Sequence, residues 1–110
     1  LSAYALSLQK LSYVFLLQPT LSVSNKKLTQ RENEILRKDS VRYFSECYKI
    51  IDEKLSEIKM KNFYYFNMAD VFDKDYIDIF VDSYHFGDRG NEIIANVMYD
   101  YIKDIIIGSK

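Results

Sequence analysis

Two short, almost unbroken apolar runs on either side of one long amphipathic helix constrain this chain more than any other feature. The first is Tyr13-Val14-Phe15-Leu16-Leu17 and the second is Phe63-Tyr64-Tyr65-Phe66-Asn67-Met68. Both are rich in aromatic and branched side chains and too short for ordinary helices, so residues 12–18 and 63–68 are predicted to be strands. A strand that is apolar at successive positions, not alternate ones, suits a parallel sheet covered by helices on each side. Pro19, which lacks an N–H to extend a ladder, stops the first strand.

The segments between them fit that reading. Leu1, Tyr4, Ala5, Leu8 and Leu11 recur at steps of three and four, which predicts a helix over residues 1–11. Residues 21–27 are mostly small, polar or basic and read as a loop. Thr29 followed by Glu32 forms a capping-box signature, and a long helix is predicted from there. Its stripe of Val41, Phe44, Tyr48, Ile51, Leu55 and Ile58 predicts a core-facing side, and Asn62 is the expected terminator. Residues 70–82 hold five aspartates among apolar residues and read as an irregular, partly packed connection. After Gly87-Asp88, residues from Ile93 to Ile105 mark a last amphipathic helix ended by Gly108. The order of strand, helix, strand, helix is that of an α/β fold with parallel strands.

The 110 residues allow one domain or part of one. At 48% hydrophobic and 15% aromatic residues, they have the means to bury a core. Fifteen basic residues against sixteen acidic ones give a net charge of -1, which offers no footprint for nucleic acid. No apolar run approaches the ~20 residues of a membrane-spanning helix. The single cysteine, Cys47, has no disulfide partner in the chain and falls beside the apolar stripe, where a small packed hydrophobe is the economical reading. No metal and no cofactor is expected. Asp73 and Asp75 begin a calcium-loop spacing, but Ile77 stands where a third ligand belongs and Tyr84 where the bidentate glutamate belongs. The chain starts at Leu1 without a methionine or the order of a secretory signal, and reads as beginning inside a longer protein.

One constellation carries chemistry. His85 is the only histidine, and Asp82 precedes it by three residues in the loop before the last helix. A hydroxyl nucleophile near neutral pH needs a base, and the base needs a carboxylate to fix its tautomer. That loop also falls where open α/β sheets place their ligand crevices, at the carboxyl ends of the strands. Gln18, Pro19 and Thr20, at the end of the first strand, are candidates to line such a cleft, with a plain turn as the other reading.

The run from Val81 to Ala95 resembles the last block of the SGNH (GDSL-type) hydrolases. Asp82, His85, Gly90, Asn91 and the helix start at Ile93-Ile94-Ala95 sit at the matching offsets, and Phe72 fits an aromatic of the preceding segment. The stretch from Phe15 to Leu21, with Lys27, Leu28, Thr29 and Glu32, looks like the strand and helix start that precede that block in some members. The resemblance implies that residues 1–110 are the C-terminal part of one SGNH domain, a flavodoxin-like three-layer α/β/α sandwich with parallel strands. It also implies His85 as base and Asp82 as its orienter in an esterase or acylhydrolase acting on a lipid, carbohydrate or small-molecule ester. Where many relatives carry Ser or Thr and then Pro, this chain has Gly87-Asp88. The family's Gly-Asp-Ser nucleophile block, oxyanion glycine and Gly-x-Asn-Asp block have no counterpart, so the chain alone is expected to be inactive. Its apolar strands are expected to self-associate or to pair with the missing N-terminal part. The rival expectation is a non-catalytic α/β interaction module, or a pseudoenzyme, that pairs through its sheet edge.

Overall fold

The computed structural model describes residues 11–108, and the helix expected over residues 1–11 lies outside them apart from Leu11, which is exposed. Strand β1 (Tyr13–Leu17) is followed by helices α1 (Gln30–Ile35) and α2 (Lys38–Ser56), strand β2 (Phe63–Asn67) and helix α3 (Asp88–Gly108). The protein is a small α/β structure in which β1 and β2 pair in parallel, Tyr13 opposite Phe63 through Leu17 opposite Asn67. Aromatic residues face each other across the ladder. The Tyr13 and Phe63 rings stack at 5.7 Å, and Phe15 lies 6.1 Å from Tyr65.

Successive side chains of a strand point to opposite faces, and each face meets a different helix. On one face the Tyr65 hydroxyl donates to Asp52 Oδ1 of α2 at 2.8 Å, and the Asn67 amide does so at 3.1 Å. On the other, Phe66 stacks on Tyr101 of α3 at 4.1 Å. The strands are less buried than their composition predicts. Only Leu17 is fully buried, because among the described residues one helix lies on each face and the sheet has two strands.

The long helix expected from Thr29 onward is broken. The capping box forms as predicted: the Glu32 amide donates to Thr29 Oγ1 at 3.2 Å, and the Thr29 amide donates to Glu32 Oε1 at 3.1 Å. The chain then leaves helical geometry at Leu36 and restarts at Lys38. The break sets both Ile35 and Leu36 against the core before α2 begins. No residue of α2 is fully buried; its stripe is half-buried, and Ile58 falls beyond the helix end. Asn62 does not terminate the helix, which stops at Ser56. It sits in the turn before β2 with φ 64°, a left-handed conformation that asparagine tolerates.

The core lies mostly in the connections. Leu17, Leu21, Met68, Ala69, Phe72, Ile79 and Phe80 are its buried apolar residues, and all but Leu17 follow a strand rather than occupy one. Residues 70–82, expected to be partly packed, thus supply its centre. Phe72, Phe80 and Phe86 meet edge-to-face at 5.3–6.2 Å, an arrangement that adds ~0.5–1.5 kcal/mol per pair beyond area burial.

Helix α3 starts against this cluster at a point of close approach. A Cβ on Gly90 would lie 2.5 Å from Phe86 Cβ and 3.0 Å from Ile79 Cγ2. Gly90→Ala is therefore expected to cost ~1–3 kcal/mol by overpacking. Calorimetry should show a Tm lower by roughly 4 °C or more per kcal/mol. An unchanged Tm would mean that α3 shifts freely over the Phe86 turn.

Candidate active site

The loop between the core and α3 is a closed turn. Phe80 and Phe86 form an antiparallel bridge, with the Gly87 amide donating to the Ile79 carbonyl and the Val81 amide to the His85 carbonyl, each at 2.9 Å. Asp82 organises the tip. Its Oδ1 accepts the amides of Tyr84 and His85, both at 2.8 Å, in the manner of an Asx turn.

The same carboxylate faces the imidazole. His85 Nδ1 lies 2.8 Å from Asp82 Oδ2 and 3.0 Å from Oδ1. The Tyr84 amide, followed by the His85 ring and amide, holds the Asp82 carboxyl below its ordinary value, so it is ionised at neutral pH. A carboxylate has no proton to give. Nδ1 is then the protonated ring nitrogen, and Nε2 of the neutral ring carries the lone pair. Among the described residues Nε2 has no hydrogen-bond partner, and the His85 side chain is 74% exposed. Exposed ion pairs contribute little to stability, so the consequence of this contact is the orientation of the ring.

The chain leaving β1 runs beside this turn. The Gln18 side chain donates to the Tyr84 carbonyl at 3.0 Å, the Leu21 amide donates to the Ser83 carbonyl at 3.1 Å, and the Tyr48 hydroxyl ties down the Gln18 carbonyl at 2.8 Å. The structure thus brings Gln18 to the Asp82–His85 turn at the carboxyl ends of the strands. Pro19 and Thr20 are buried instead, leaving Gln18 as the one exposed side chain of the three. Pro19 forms part of an apolar hollow of about 220 Å³ with Leu16, Phe86 and Met98. Tyr84 and Val81 are the exposed apolar residues of the turn itself.

Sequence reasoning recognised Glu32 only as a helix cap. Its fully buried carboxylate also pairs with Lys26 Nζ at 2.5 Å and accepts the Ile79 and Phe80 amides at 3.0 Å. Burial by itself raises the Glu32 carboxyl, but Lys26 and the amides of Phe80, Thr29 and Ile79 outweigh it and hold the group below its ordinary value of 4.5. A carboxyl with a lowered folded value stabilises the fold fully above about pH 4.5 and loses that contribution as the pH falls through the folded value. The Tm of the protein is therefore expected to drop below pH 4.5, and Glu32→Gln to flatten that limb in a series of melts. An equally steep limb in the variant would assign acid unfolding to other carboxylates.

Among the described residues no group of three or more His, Cys, Asp or Glu side chains is placed to hold a metal ion, and no helix is long and apolar enough to cross a membrane. Fold and site together define an α/β protein with a carboxylate–imidazole pair at the carboxyl end of a parallel sheet. No family model, curated protein or solved structure matches the chain.

Proposed function

We propose that this chain supplies the base and its orienter to an SGNH-type serine esterase or acylhydrolase, as the C-terminal half of a three-layer α/β/α domain. The observation that carries the reading is the contact of both Asp82 oxygens with His85 Nδ1, which leaves Nε2 exposed. The match of Asp82, His85, Gly90 and Asn91 to the family's last block supports it, as does a helix on each face of a sheet that has two strands among the described residues. The 110 residues contain no Gly-Asp-Ser or Gly-x-Asn-Asp, so in this reading the serine and oxyanion hole come from outside them.

His85 Nε2 takes the proton of the serine hydroxyl as the oxygen attacks an ester carbonyl, and Asp82 stabilises the imidazolium through Nδ1–H. His85 returns the proton to the leaving alcohol. Water then attacks the acyl-enzyme carbonyl and gives a proton to Nε2, which passes it to the serine oxygen as the ester bond to the serine breaks and the carboxylic acid leaves. The substrate class is an ester of a lipid, a carbohydrate or a small molecule.

A fluorophosphonate probe, which reacts with activated serines, tests the reading on the complete protein that carries this chain. Labelling that disappears in His85→Ala is expected. Undiminished labelling in the variant, or none in the wild type, would contradict it. The open strand edges favour a second reading, a non-catalytic module that pairs through its sheet. That reading predicts a defined complex in light scattering with no labelling at all.

A further inference from the structure

The tip of the Asp82–His85 turn is exposed. Val81, Asp82, Tyr84 and His85 are all exposed, and from outside the turn the tip is held only at Ser83 and Tyr84, by the Leu21 and Gln18 hydrogen bonds and the edge of Phe44. The base of the turn is fixed separately, at Ile79 and Phe80, whose amides both donate to one oxygen of Glu32. Glu32 is 0% exposed and held from three directions: by Lys26, by the Thr29 amide and by these two amides. Lys26 Nζ is anchored in turn on the Lys27 carbonyl, and the Thr29 hydroxyl donates to Asp78, one residue before the gripped pair.

Removing two charges from water is costly, and an apolar pair of similar volume would serve stability as well. What an apolar pair lacks is an acceptor for two successive backbone amides. From Glu32 Oε2 the restraint passes through Phe80, which bridges Phe86, the residue next to His85. We infer that Glu32 is a positioning residue for His85: its buried carboxylate clamps the base of the turn and so fixes the imidazole against Asp82. This rests on the reading of His85 and Asp82 as base and orienter.

The test reads the tautomer of His85 from its ring nitrogens by long-range ¹H–¹⁵N NMR. As the only histidine of the 110 residues, His85 is assigned without ambiguity. Two double variants are compared, Lys26→Met with Glu32→Gln and Lys26→Met with Glu32→Leu. Both remove the buried charges, but only the first keeps an oxygen for the Ile79 and Phe80 amides. The glutamine variant is expected to retain a single tautomer with Nδ1 protonated, and the leucine variant to show a mixture, at matched circular dichroism. In the complete enzyme kcat should follow the tautomer while KM stays near wild type.

One tautomer in both variants would overturn the inference. If the leucine variant does not fold, Glu32→Asp takes its place, since its carboxylate is one methylene short of the turn. If that also fails to fold, Glu32 is a requirement of the fold and the positioning role is overturned. The NMR outcome does not depend on ester turnover, so failure of the catalytic reading is seen separately, as undiminished labelling in His85→Ala.

Discussion

His85→Ala in the complete protein is expected to lower kcat on a p-nitrophenyl ester by at least ~10²–10⁴-fold, the usual worth of a positioned general base. KM should stay near its wild-type value, because in the proposed role the side chain acts on the proton in flight and does not grip the substrate. Asp82→Asn should fall nearly as far, by up to ~10⁴-fold, through a different cause. An asparagine amide can donate to Nδ1 as well as accept from it, which lets the ring present N–H at Nε2. Asp82 also accepts the Tyr84 and His85 amides, and an asparagine oxygen can keep one or both. The variant should therefore fold while losing turnover. An equal loss of Tm and activity would mean that Asp82 acts only as a turn cap. The Tyr84 and His85 contacts lower the Asp82 carboxyl, so it stays a carboxylate through neutral and mildly acidic pH and its hold on the ring weakens only as the pH falls through that lowered value.

Phe72→Ala carries the largest expected change in stability. Its ring is 0% exposed and touches Phe80 at 5.5 Å and Phe86 at 5.3 Å, both edge-to-face. Truncation loses the transfer of the ring from water, two aromatic contacts and the filling of the space left behind. Such changes cost ~3–5 kcal/mol. Typical domains hold only ~5–15 kcal/mol in all, so a large part of the fold's stability rests on this ring. Urea denaturation should show the midpoint moving sharply lower with the slope unchanged. A shift below about 1 kcal/mol would mean that the three phenylalanines do not form the centre of the core.

Much of the fold could be read along the chain because its signals are local. The strand character of Tyr13–Leu17 and of Phe63–Asn67, the capping box at Thr29 and the helix that follows Gly87-Asp88 each depend on residues within a few positions. Asp82 and His85 belong to the same class: they stand three residues apart in one turn, so their spacing alone puts carboxylate and ring within reach of each other. What was hidden depends on distant partners. Nothing near Glu32 announces that Ile79 and Phe80, 47 and 48 residues on, will donate to it. The break at Leu36 follows from packing on that same cluster, which helical periodicity does not carry. Thr20 reads as a candidate for a cleft because it ends a strand, but its carbonyl accepts the Val23 and Ser24 amides and its side chain is buried.

The most direct measurement is the protonation of the two ring nitrogens of His85 in the wild-type chain, taken by ¹⁵N NMR above the pH at which the imidazole is neutral. A proton on Nδ1, with Nε2 bare and free to accept, is the predicted result. A proton resting mainly on Nε2, or shared between the two nitrogens, would mean that Asp82 does not hold the ring and that this turn is no base.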